Sequence, residues 1–141
     1  ILTVSGTLCV TGNIVMSNTT QIKLSSSYGT GSGVIVSGGT VSTSNSASFS
    51  GSGSSGSYLM MLTTSTSSSA INIANSAGTV ILVAPYGTIT FSNTAGAKEA
   101  IAKTINMSNT ATLTYESGLQ NVSFVNGPSG GWSITSWKEV K

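Results

Sequence analysis

Histidine, aspartate and arginine are missing from the chain altogether. Without them no Ser-His-Asp or Cys-His constellation can form, and with one cysteine the usual ligands of transition metals are missing too. The chain is therefore read as not an enzyme, with no catalytic residue, no metal site and no cofactor. Charge is scarce as well, five lysines standing against Glu99, Glu116 and Glu139 for a net +2. So small and scattered a charge leaves no footprint for nucleic acid. No run of 18 apolar residues occurs, so no membrane span is expected within these boundaries. Cys9 has no second cysteine to pair with, and between Leu8 and Val10 it reads as a small buried hydrophobe. The start at Ile1 rather than Met suggests a trimmed or processed fragment, so an absent signal peptide decides nothing.

What the chain does have is hydroxyl groups, glycine and alternation. About a third of its 141 residues are Ser or Thr and 17 are Gly, a composition that alone would suggest a disordered linker. Ile, Val, Leu, Met and Phe nevertheless recur at alternating positions, and the mean hydropathy is +0.26, enough apolar surface to fold. At this length one domain, 1–141, is expected.

A unit first seen as Asn-Ile-Val-Met-Ser-Asn at 13–18 returns four times, each copy an alternating strand followed by a small residue and Asn. The closing Asn18, Asn45, Asn75, Asn93 and Asn109 are 27, 30, 18 and 16 residues apart, the irregular period of a solenoid with loops of variable length. A second apolar run precedes each unit and a third follows most of them. Helical periodicity is absent, and β-branched residues and Gly are hostile to helix. The expectation is an all-β, single-stranded, right-handed parallel β-helix of about five to six coils, each with three short strands. Asn tolerates the left-handed backbone region and so suits a corner. The five are expected to stack as an internal amide ladder.

Alternation places Ile14, Met16, Val41, Thr43, Ile71, Ile73, Ile89, Phe91, Ile105 and Met107 inside. It leaves a flat polar face outside, made by Asn13, Thr40, Thr88 and Thr104 beside Ser42, Asn72, Thr90 and Asn106, with Val15 and Ala70 interrupting. The preceding run is apolar on both alternations, and a strand of that kind is normally covered on both sides. Its outer row is read as Cys9, Ile35, Met60, Val83 and Ile101, an interface for a missing N-terminal helix, another subunit or the chain's own tail. Ser-Gly insertions at 25–33 and 50–57 fall at one corner of adjacent coils and should project side by side. The tail at 127–141, with Trp132 and Trp137 on opposite alternations, is the expected C-terminal cap.

Few constellations could carry chemistry. Glu99 and Glu116 are 17 residues apart, about one short coil, yet they stand on opposite alternation near Lys98 and Lys103 and read as solvated charges. The Gly-Ser-Gly-Ser-Ser-Gly run at 51–56 matches a dinucleotide fingerprint by letters but lacks the helix that would follow. Tyr28, Tyr58, Tyr86 and Tyr115 recur at intervals of 30, 28 and 29 residues and offer sugar-stacking platforms, with Trp132 and Trp137 as others. The hydroxyl rows are similar to those of ice-binding solenoids, although only Thr88-Ile-Thr90 has the full Thr-x-Thr form.

The Ile-x-Met/Phe-Ser-Asn unit, the Ser-Gly segment at 51–58 and the Gly-Gly-Trp-Ser-Ile-Thr-Ser-Trp-Lys-Glu tail at 130–139 resemble the C-terminal β-helical region of bacterial surface proteins with a type IV pilin-like or PilX-like N-terminus. That resemblance implies an exported protein at the cell surface or outside the cell, with a pilus or cell-surface partner. Among pilus-linked proteins, tapirins pair a β-helix with cellulose binding, a likeness at the level of fold only. The function expected is non-enzymatic adhesion or structural presentation. A module for an insoluble polysaccharide is the alternative, and ice binding a further one.

Overall fold

The computed structural model describes residues 1–75, 78 and 80–125; the expected cap at 127–141, with Trp132 and Trp137, lies outside them. The described residues are all-β, with two short 3-10 turns at Ser26–Tyr28 and Ser117–Asn121, and every strand pair among them is parallel. Strands so short, separated by Gly, Ser and Asn, cannot pair with their sequence neighbours in hairpins and keep one direction. Each pairs instead with its counterpart one repeat along.

The strands fall on three lines. On the first, β1 (Leu2–Val4), β4 (Gln21–Leu24) and β7 (Ser48–Ser50) pair in order, and a bridge from Phe49 to Gly78 carries β7 onward. The second holds β2 (Leu8–Val10), β5 (Gly33–Ser37) and β8 (Leu59–Thr63), and the third β3 (Ile14–Met16), β6 (Val41–Thr43) and β9 (Ile71–Ala74). Two longer strands, β10 (Val80–Ser92) and β12 (Glu99–Met107), run along the second line and then the third, with an irregularity between Ala84 and Thr88. They join both lines into one nearly closed, solenoid-like sheet. Back on the first line, β11 (Gly96–Ala97) pairs β13 (Thr112–Leu113). Gly87 occupies the bend of β10 because an added Cβ would lie 2.4 Å from that of Ala70 and 2.6 Å from the Ser65 carbonyl oxygen.

Register on the third line follows the alternation. Ile14, Val41, Ile71, Ile89 and Ile105 stand in one column, and Met16, Thr43, Ile73, Phe91 and Met107 in the next. In the middle rungs Val41, Ile71, Ile73, Ile89 and Phe91 are fully buried, each contributing about 1.5–3 kcal/mol relative to exposure. The same core takes in Leu24 and Phe49 from the first line and Ile35, Leu59, Met61 and Leu82 from the second.

The corner after the third line repeats. Asn18, Asn45, Asn75, Asn93 and Asn109 each follow the second inward residue by two positions and have φ of 57°, 59°, 70°, 59° and 59°. Asn18, Asn45, Asn93 and Asn109 occupy the second position of tight turns, closed by the amide of Thr20, Ala47, Ala95 or Ala111 on the carbonyl of Ser17, Ser44, Ser92 or Ser108. Asn adopts this left-handed region at lower cost than other non-glycine residues. Their amides link along the outside: Asn45 Nδ2 donates to Asn18 Oδ1 at 3.2 Å, and Asn109 Nδ2 to Asn93 Oδ1 at 3.1 Å. An internal ladder was expected, but Asn18, Asn45, Asn93 and Asn109 are exposed and Asn75 half-buried.

The second line corrects the expected outer row. Its inward column is Leu8, Ile35, Met61, Leu82 and Ala100, so Ile35 lies in the core. The outward columns are Cys9, Val36, Leu62, Val83 and Ile101, and beside them Val34, Met60, Ile81 and Glu99. Met60 therefore stands one column away from Cys9, Val83 and Ile101. A strand apolar on both faces carries no period-2 signal to fix which set points inward. Cys9 itself is exposed, not buried.

The corner geometry sets a test. Asn93→Gly should unfold in urea within about 1 kcal/mol of the parent, because Gly reaches φ near +60° without strain, whereas Asn93→Val should lose about 1–2 kcal/mol. Equal stability of the two variants would contradict a left-handed corner at this position.

Candidate functional site

Outward from the third line runs a column of Val15, Ser42, Asn72, Thr90 and Asn106, one residue per rung. Successive rungs of a sheet lie about 4.8 Å apart, so hydroxyl and amide groups recur at that interval on a backbone held by the core beneath. Ser42, Asn72 and Thr90 are half-buried, and Val15 and Asn106 exposed. The neighbouring column is broken. Asn13 Oδ1 accepts the Thr40 amide at 2.8 Å at one end, and Thr88 pairs with Thr104 at the other. Between them Ala70 is fully buried, and the Ser-rich loop lies alongside, the Thr88 amide donating to the Ser67 carbonyl at 3.1 Å. The polar face is thus one column, polar in the four rungs from Ser42 to Asn106, with a partial second one.

The tyrosines do not share a surface. Tyr28 and Tyr58 are buried, while Tyr86 and Tyr115 are 61% and 62% exposed. Tyr28 follows from a local device: the 3-10 turn Ser26–Tyr28, with the Ser25 hydroxyl accepting the Ser27 amide, turns its ring into the core beside Leu24. There Gly33 leaves the space, since an added Cβ would meet Leu24 Cδ2 at 2.6 Å and Tyr28 Cε1 at 3.0 Å. The Tyr28 hydroxyl has no partner among the described residues. The loops around 25–33 and 50–57 do lie side by side, but stitched rather than projecting: Ser57 Oγ donates to the Gly31 carbonyl at 2.7 Å, and the Tyr58 amide to Ser32 Oγ at 2.9 Å.

After β13 the chain leaves the stack and runs back along it. Ser32 bridges Phe124 in parallel, its amide donating to the Ser123 carbonyl and its carbonyl accepting the Val125 amide, at 2.8 and 3.0 Å. The segment is pinned where it departs. Glu116 Oε2 accepts the Tyr58 hydroxyl at 2.7 Å, and Glu116 Oε1 pairs with the Lys98 ammonium. Lys98 and then Tyr58 hold the Glu116 carboxyl below its usual range, and Glu116, with burial adding, pushes the Tyr58 hydroxyl above its own. Sequence spacing gave no sign of this latch, which joins residues 58 positions apart. Glu116 was expected as a solvated charge and is instead engaged by both partners. The cluster holds the chain to itself.

Comparison with family models, curated proteins and solved structures gives no match. What the site can do therefore rests on its own geometry. Among the described residues no group of three or more His, Cys, Asp or Glu comes together to hold a metal, and no helix is long and apolar enough to cross a membrane. A shallow depression on the first line, between Thr94, Gly96, Thr112 and Thr114, contains Lys98, whose charge is committed to Glu116.

The latch has a pH signature. Glu116, with its carboxyl lowered in the fold, contributes stability above the ordinary carboxylate value of about 4.3 and loses it as pH falls below. Tyr58, with its hydroxyl raised, contributes below about 10 and loses it as pH rises beyond. Melting temperature should therefore fall at both extremes, and Glu116→Gln should flatten both limbs, while Tyr58→Phe flattens the alkaline limb and only part of the acid one, since Lys98 still holds the Glu116 carboxyl down. Superimposable profiles for parent and Glu116→Gln would sink the latch.

Proposed function

We propose that the chain is a right-handed parallel β-helix of five to six coils that serves as a non-enzymatic extracellular or pilus-associated surface domain, adhering through its uncharged face. The observation that carries this reading is the outward column Val15, Ser42, Asn72, Thr90 and Asn106, in register on a buried core. Regularly spaced hydroxyl and amide groups on a rigid support suit an ordered partner surface, because little side-chain freedom is lost on contact. A composition without His, Asp or Arg supports a binding role over a catalytic one. The surface location rests on that composition and on the resemblance to pilin-linked proteins.

Tyr86 and Tyr115 favour the second reading, a module for an insoluble polysaccharide, since exposed aromatic rings stack on sugar faces.

Retention on cellulose, other insoluble glycans and whole bacterial cells distinguishes the two. Under the first reading Asn72→Lys with Thr90→Lys lowers retention at least about tenfold, the equivalent of 1.4 kcal/mol, while Tyr86→Ala with Tyr115→Ala leaves it unchanged. The opposite pattern assigns binding to the tyrosines. A parent protein retained on none of these surfaces contradicts both.

A further inference from the structure

The rungs bond to one another with a fixed polarity. On the third line the first inward residue donates forward, Ile14 N to Thr40 O at 2.8 Å and Val41 N to Ala70 O at 2.9 Å. The residue after the second inward one donates backward, Ser44 N to Met16 O and Ser108 N to Phe91 O, both at 3.0 Å. The corner amides obey the same rule, each Nδ2 reaching back to the preceding Oδ1. Carried to the ends of the stack among the described residues, this leaves Asn13 O, Ser17 N and Asn18 Nδ2 facing out at the start. At the finish it leaves Ile105 N, Met107 O and Asn109 Oδ1. Each group at one end is matched by its complement at the other, in the same order along parallel strands.

Among the described residues the apolar interior is open at the finishing end as well. Ile105, Met107 and Leu113 occupy inward positions yet are 39%, 46% and 40% exposed, whereas Ile89 and Phe91 one rung below are at 0%. Among the described residues β12 pairs only with β10, so its far edge is an unpaired template. The chain's own next segment does not cover it, since 116–125 turns back to Tyr58 and Ser32.

We infer that the finishing edge takes the starting edge of a second copy of this chain, head to tail, with β2 and β3 of the incoming copy laid on β12. Ile105 then packs under Ile14 and Met107 under Met16, the match that Ile89 and Ile105, or Phe91 and Met107, already make within one copy. One strand has to yield. The incoming β1 and the resident β13 share the first line, and β13, two residues long with both exposed, gives up its place on β11. A head-to-tail contact that continues the stack along its own axis advances with every copy and does not close into a ring, so the product is an open fibre. The inference rests on parallel pairing alone and is independent of what the polar face binds.

Light scattering coupled to gel filtration over roughly 1 to 100 μM, a range in which interfaces of ordinary size separate, should show masses climbing in steps of 14.1 kDa. Electron micrographs of the assembled species should show an axial repeat of roughly 24 Å, five rungs of about 4.8 Å. Ile105→Lys with Met107→Lys should hold the protein at one copy, while Asn72→Lys, outward in a middle rung, still assembles. A synthetic peptide of residues 8–18, offering the starting edge alone, should shorten parent assemblies in proportion to its concentration, which decides the matter even if the lysine variant fails to fold. A parent that stays at 14.1 kDa throughout, growth that stops at two copies, a folded lysine variant that still assembles, or indifference to the peptide would each overturn head-to-tail stacking.

Discussion

Everything in this molecule depends on each rung arriving at its corner in the same place as the one before. A parallel ladder bonds only when the incoming strand matches its predecessor in direction and register, and a slip of one residue would turn every inward side chain out. Five asparagines at φ between 57° and 70° fix that arrival. Between corners the chain tolerates wide variation, from the direct run of β11 into β12 to the Ser-rich loop of 63–69. Loop length costs little because closure entropy grows only slowly with it.

The same constraint accounts for the composition. Identical positions of successive rungs lie about 4.8 Å apart, where like charges repel by roughly 3 kcal/mol at an effective dielectric constant of 20. A charge at a repeated position would meet its own copy above and below. Hydroxyls and amides, being both donor and acceptor or able to turn, stack without that penalty. The column Val15, Ser42, Asn72, Thr90 and Asn106 holds no charge in five rungs, and the ion pair of Lys98 with Glu116 lies where the chain leaves the stack. Uncharged monotony on the outside is thus a consequence of the architecture before it is a binding surface.

How much the sequence revealed varied from line to line for physical reasons. The third line was legible throughout, because alternation is clean and each copy ends in the same corner residue. The second was misread at Val34 and Ile35, where apolar residues occupy both faces and only pairing with Met60 and Met61 settles which points in. Cys9 was placed on the outward side, where the structure has it, but read as a buried hydrophobe and is exposed. Tyr28 and Tyr58 looked like surface aromatics in flexible loops. Yet one is turned inward by a 3-10 turn and the space at Gly33, and the other is pinned under a returning segment. Neither device has a periodic signature, since both depend on contacts between residues far apart in the chain. The polar face was anticipated as two columns, but Ala70 is buried under a loop whose path no local pattern specifies.

The central claim is that strands pair with their counterparts one repeat along, and methyl nuclear Overhauser spectroscopy tests it most directly. Ile89 should show cross-peaks to both Ile71 and Ile105, its neighbours in one column. Cross-peaks from Ile89 to an antiparallel sequence neighbour, with none to Ile71 or Ile105, would contradict it.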